Sequence, residues 1–273
     1  MSVSNKKQAL LPRGSETLYN PVGTAPGFYM KINACRFFFL PGVPAEMRRM
    51  LQEEVLPRIH RLSGDSAFHC IIKTITTFGL TESAVGEKMA DITSDYPGIR
   101  LGLRAKFPEI HIKLYANGQH IDALNERIAA AQQWIVDRIG RYVLSLEGAS
   151  MQQVVGKLLR QHAKTLAVAE SCTGGRIANW LTDVSGSSDY FLFSGVTYSN
   201  ASKMKVLGVP LETLERCGAV HEETAKAMAA GARRISGSDY AIATTGIAGP
   251  TGGTEDKPVG TVCIGLATPH SVT

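Results

Sequence analysis

The sequence is poor in the features that announce a disulfide scaffold, a zinc site or a membrane protein. Its five cysteines, Cys35, Cys70, Cys172, Cys217 and Cys263, are scattered, odd in number and never paired as C-x-x-C. That pattern argues against a disulfide framework and against structural zinc. No apolar run approaches the roughly 18 residues of a membrane-spanning helix, and the opening MSVSNKKQALLPRGSE has no apolar core for a secretory signal. The expectation is a cytoplasmic protein that spans no membrane. A basic block is also missing. The net charge of +5 sits in residues 1–62, where nine Lys/Arg meet four Asp/Glu along a loop-rich stretch. Without basic clusters or aromatic-basic interleaving, no nucleic-acid groove is expected.

What is present is 273 residues with 44 % hydrophobic content, enough for several cores. Residues 1–62 open with the Gly/Pro-rich LLPRGSETLYNPVGTAPGF, followed by one clear strand, RFFFL. A helix then starts at Pro44, with Met47, Met50, Leu51 and Val55 at helical spacing. One strand and one helix enclose no core, so this piece reads as the remnant of a partial α/β domain. Residues 63–148 read as a small α+β domain. HCIIKTITTF is a strand, and Thr81 caps a helix over TESAVGEKMADI. The strands IRLGLRAKF and EIHIKLYANG follow, then a helix from Ile121 to Ile139 and a closing RYVLSL.

From residue 149 the pattern is α/β. Ser150 caps a first helix; TLAVAE, GVTYS, YAIATTG and GTVCIGLA read as strands, with amphipathic helices between them. Continuous apolar strands among such helices predict a three-layer domain whose sheet is covered on both faces.

In open α/β sheets ligands bind beyond the carboxyl ends of the strands. Three polar clusters fall there: Ser171-Cys172-Thr173-Gly174-Gly175, Tyr198-Ser199-Asn200, and the loop from Thr244 and Thr245 through Gly246, Gly249, Pro250 and Gly252. Ser171 is either a helix cap or a nucleophile beside the N–H groups of a helix start, which would be unpaired and suit an oxyanion. Cys172 is either a thiol nucleophile or a small buried side chain. No histidine of this domain lies at a strand end, so the base for a serine is sought in Tyr198 and Lys203; a surface lysine and an ordinary strand-end tyrosine are the alternative. The spacing is Y-x4-K and no G-x-G-x-x-G follows a strand, which excludes a nicotinamide oxidoreductase. TTGIAGPTGGTEDKPVG is not a Walker loop, although its amides and Lys257 suit a phosphate. Glu255 and Asp256 lack a matching ligand set, so neither metal nor cofactor is expected.

Taken together, AESCTGGRIANWLTDVSGSSDYF, GVTYSNASKMKVLGV, GAVHEETAKAMAAGA and TTGIAGPTGGTEDKPVGTV resemble, in order, the C-terminal domain of the competence/damage-inducible CinA family. TFGLTESAVGEKM resembles its KH-like middle domain, and KQALLP…NPVGTAPGF…FFFLPGVPAEM the second half of its molybdopterin-binding-like domain. The resemblance implies hydrolysis of the amide of nicotinamide mononucleotide, with Ser171 as nucleophile and Tyr198 and Lys203 relaying its proton. Cys172, Thr173, Gly174, Gly175, Asn200, Thr245, Gly246, Gly249, Pro250 and Gly252 would face the nucleotide, and a homodimer is suggested. The family pattern extends beyond both ends of this sequence. The reading is thus of a fragment, truncated at residue 273, with a catalytically impaired nucleotide-binding protein as the alternative.

Overall fold

The computed structural model describes residues 7, 10–63 and 69–273. The chain divides into two compact units, residues 1–71 with 116–127, and residues 72–115 with 128–273. In the first, β1 (Glu16–Leu18), β2 (Gly27–Ile32) and β3 (Cys35–Phe39) form an antiparallel sheet in the order β1-β2-β3. The sequence reading expected β3 alone. GFYMKI places three apolar residues in a row, so β2 lacks the alternation that signals a strand, and a two-residue turn with Asn33 at φ 55° joins it to β3. Helix α1 (Pro44–Met50) begins at its proline as expected and continues through a π-helical turn, Leu51–Val55, into α2 (Leu56–Ser63). Leu18, Met50 and Val55 make this unit's core.

The middle elements follow the sequence closely: β4 (His69–Phe78), α3 (Glu82–Lys88), α4 (Ile92–Asp95), β5 (Ile99–Lys106), β6 (Glu109–Gly118), α5 (Ile121–Ile139) and β7 (Val143–Ser145). Thr81 caps α3 through its hydroxyl, which accepts from Ala84 N at 3.2 Å. The sheet order is β5-β6-β4-β7.

The C-terminal part begins with α6 (Met151–Gln161), where Gln153 Oε1 accepts the Ser150 N–H at 2.9 Å and so closes the helix start. Then come β8 (Leu166–Glu170), α7 (Arg176–Thr182), β9 (Phe191–Val196), α8 (Asn200–Leu207), α9 (Leu211–Cys217), α10 (Glu222–Ser236), β10 (Tyr240–Gly246) and β11 (Val262–Ala267). The sheet runs β11-β10-β8-β9, parallel except for the antiparallel β10–β11 pair. Strand β8 sorts its side chains by the two-residue pleat. Ala167 and Ala169 pack with Leu207, Met228 and Ala229 of α8 and α10, whereas Val168 packs with Leu159 of α6 and Leu181 of α7. The three-layer expectation therefore holds, with one difference. On β11 the residues facing away from α10, Val262, Ile264 and Leu266, remain exposed. Among the described residues no helix is long and apolar enough to cross a membrane.

Small residues let α10 approach closely. A Cβ on Gly231 would run into the Leu207 carbonyl, which also accepts from Arg234 Nη2 at 2.9 Å. Gly231→Ala is expected to destabilise the domain by about 1–3 kcal/mol through overpacking, seen as a lower midpoint in thermal unfolding.

Candidate functional site

The turn after β8 carries the first cluster. Because Ala167 and Ala169 face α8 and α10, Ser171 continues that face, and it meets α8 there. Lys203 Nζ lies 3.1 Å from Ser171 Oγ, 2.9 Å from the Thr197 carbonyl and 3.0 Å from the Tyr198 carbonyl. Lys203 is 0 % exposed and Ser171 is 7 % exposed. The surface alternative for this lysine is thereby excluded. Burial lowers the Lys203 pKa from its ordinary value, with the Cys172 thiol opposing the shift. The sign for stability follows: between the lowered folded pKa and about 10.4 the unfolded chain binds the extra proton, so stability rises with pH across that window.

Lys203 Nζ donates to all three oxygens; in the neutral form, which burial favours, two N–H groups suffice for the two carbonyls and the lone pair is free to accept from the serine O–H. Tyr198 enters through its main chain; its side chain is 74 % exposed. It also stands two residues beyond the end of β9, where the sequence reading had the strand continuing to Ser199. Sheet pairing stops after Thr197 N donates to the Glu170 carbonyl at 2.8 Å.

The helix-start amides require a correction. They were expected to be unpaired and aimed at an oxyanion. Instead the Glu170 carboxylate, 0 % exposed, accepts Gly175 N at 3.0 Å and Ile177 N at 3.2 Å on one oxygen and Ala178 N at 2.9 Å on the other. Glu170 follows Val168 onto the α7 face of the sheet, opposite Ser171, so the start of α7 serves Glu170. Gly174 N and Arg176 N bond the carbonyls of Ser171 and Thr173. Glu170 was absent from the candidates drawn from sequence, although a carboxylate directly before a Gly-Gly helix start is the available signal.

Cys172 is half-buried. Burial raises its thiol pKa against its own amide, that of Thr173 and the Lys203 charge, which disfavours the thiolate a nucleophile requires. Thr173 Oγ1 and Thr244 Oγ1 are 2.8 Å apart, and Thr245 Oγ1 donates to the Ala219 carbonyl at 2.8 Å. Gly246 brings the third cluster against the first: a Cβ there would stand 3.0 Å from Cys172 Sγ and 2.5 Å from the Thr261 carbonyl. Gly249 and Gly252 have φ of 77° and 90°, and Gly174 and Gly175 have 60° and 94°, values that glycine adopts without strain. Pro250 and Asn200 are exposed. Lys257 Nζ donates to the Cys217 carbonyl at 3.3 Å, fastening the loop to the end of α9. Among the described residues no group of three or more His, Cys, Asp and Glu is placed to hold a metal ion.

The family model of the CinA C-terminal domain matches residues 148–273, and that of the damage-inducible protein CinA KH domain matches residues 72–144. A CinA-like protein of Desulforapulum autotrophicum is 51 % identical over 273 residues, covering 98 % of this chain and 64 % of that protein. A CinA-like protein of Desulfosudis oleivorans is 50 % identical over 272 residues, covering 100 % of this chain and 66 % of that protein. Among solved structures, the competence/damage inducible protein CihA from Agrobacterium tumefaciens is 41 % identical, covering 45 % of this chain and 74 % of that one, with a TM-score of 0.44. The chain thus spans just under two thirds of the length of these two curated relatives.

Proposed function

The chain belongs to the CinA family, and from that premise we propose that its C-terminal domain is an amidase acting on nicotinamide mononucleotide. The observation that carries this reading is the buried Lys203 amine 3.1 Å from Ser171 Oγ. Desolvation holds the lysine toward its neutral form, the state in which it accepts a proton.

Ser171 Oγ attacks the carboxamide carbon while its proton passes to Lys203. The tetrahedral intermediate collapses, the proton goes to the departing nitrogen, and ammonia leaves an ester on Ser171. Water, deprotonated by Lys203, then cleaves that ester to nicotinate mononucleotide and restores the serine. With the α7 amides taken by Glu170, the N–H groups of Cys172 and Thr173 are the donors that follow Ser171 in the turn and serve the oxyanion. The glycine-rich loop from Gly246 to Gly252 supplies backbone amides toward the substrate phosphate. We place the domain boundaries at residues 1–62, 63–148 and 149–273, with the reaction confined to the last.

Tyr198 has two separable parts in this scheme. Its carbonyl orients Lys203, and its exposed hydroxyl relays the serine proton from Lys203 to the leaving nitrogen, giving up its own proton as it takes that one. Tyr198→Phe keeps the first and removes the second, so kcat is expected to fall by about 10²-fold with the thermal midpoint unchanged. An unaltered kcat would assign that proton to Lys203 alone. The direct test of the function is ammonia release from nicotinamide mononucleotide by the full chain. Calorimetric binding of the mononucleotide without release would leave a nucleotide-binding protein and remove the amidase.

A further inference from the structure

Glu170 joins both halves of the proposed dyad. Its buried carboxylate receives three amides, from Gly175, Ile177 and Ala178. These fix the far end of the turn that begins at Ser171, a turn whose two left-handed glycines have no side chains with which to brace it. Its carbonyl accepts Thr197 N at 2.8 Å. Thr197 and Tyr198 in turn provide the two carbonyls that hold Lys203 Nζ. One residue therefore sets where the serine sits, through its side chain and its peptide link, and where the lysine's acceptors sit, through its main chain.

We infer that Glu170 is a positioning residue that sets Ser171 Oγ against Lys203 Nζ by capping α7. The inference rests on the Ser171–Lys203 reading above but not on the identity of the substrate. The carboxylate lies on the opposite face of the sheet from the dyad, so it touches neither substrate nor the reacting atoms. Glu170→Gln preserves shape, but a carboxamide turns N–H toward one of the three donors and leaves it unpaired. The turn then relaxes, and a displacement on the order of 1 Å at a nucleophile costs about 10²-fold in rate.

The experiment follows the rate at which Ser171 in the full chain is labelled by a fluorophosphonate, an electrophile that reports serine nucleophilicity whatever the natural substrate. Glu170→Gln, shown to be folded by its thermal transition, is expected to label about 10- to 100-fold more slowly. With nicotinamide mononucleotide its kcat should fall while KM stays within about twofold, since the loss is in alignment rather than in substrate binding. Ala178→Pro is the second variant. It deletes one of the three donors without touching the carboxylate, at the third helical position, whose N–H has no intrahelical acceptor to lose. It should slow labelling in the same direction by a smaller factor, and it decides the matter if Glu170→Gln does not fold. Labelling of folded Glu170→Gln at the wild-type rate, or of Ala178→Pro at that rate where the glutamine variant does not fold, would overturn the inference. Wild-type labelling at Ser171 without ammonia release would instead remove the substrate assignment and leave the role of Glu170 standing.

Discussion

Ser171→Ala is expected to lower kcat/KM for ammonia release from nicotinamide mononucleotide by about 10⁴-fold or more, the scale seen when a covalent nucleophile is removed. The loss should lie in kcat. Alanine leaves the glycine-rich loop, Thr173 and the Cys172 side chain in place, so mononucleotide binding measured by calorimetry should change by less than about tenfold. Thermal stability should hardly move. Ser171 Oγ has Lys203 Nζ as its hydrogen-bond partner, and the Lys203 amine keeps two carbonyl acceptors without it. Cys172 cannot replace the serine, because burial holds its thiol pKa above the ordinary value and the thiolate is the reactive form. A Ser171→Ala variant with more than a few per cent of wild-type activity would place the nucleophile elsewhere.

Lys203→Met carries the second large effect, a fall of about 10³-fold in kcat/KM, within the range for loss of a positioned general base. Methionine fills a similar volume, so the packing of α8 against the sheet survives. Two consequences in pH distinguish this lysine from a structural one. The wild-type kcat/KM should rise with pH and level off below the ordinary lysine pKa, because the neutral amine is the active form and burial lowers its pKa. Wild-type stability should also rise with pH from that lowered pKa toward about 10.4, where the unfolded lysine loses its proton as well. Lys203→Met should lack that rise. Chemical denaturation of both proteins across the alkaline range measures it. Parallel stability curves for wild type and variant would mean that Lys203 titrates alike in both states, contrary to its fully buried place beside Ser171.

The sequence carried the dyad further than it carried its surroundings. Ser171 and Lys203 are 32 positions apart, yet each stands where an α/β chain passes from strand to helix, and that rule alone brings them to one edge of the sheet. The long regular elements were legible for the same reason. The bounds of α5 at Ile121 and Ile139 and of β10 at Tyr240 and Gly246 follow from hydrophobic period and flanking turn residues. Strand β2 was lost because its apolar residues do not alternate, and α9 because seven residues between Pro210 and Gly218 give too short a period to read.

The assignment of the α7 amides to an oxyanion went wrong through the pleat. Residues 170 and 171 are neighbours in sequence, but they face opposite sides of the sheet, and the carboxylate rather than the serine shares a side with α7. Tyr198 shows the complementary limit. Motif reasoning selects side chains, whereas the contact that holds Lys203 is the tyrosine's main-chain carbonyl, which almost any residue could provide.

The central claim is a covalent intermediate on Ser171, and rapid acid quench with peptide mass spectrometry tests it most directly. In wild-type protein mixed with excess nicotinamide mononucleotide, the peptide containing Ser171 should gain the mass of the nicotinate mononucleotide acyl group. That ester should appear with stoichiometric ammonia and be absent from Ser171→Ala. Steady release of ammonia with no adduct on that peptide, and the same release from Ser171→Ala, would contradict the account.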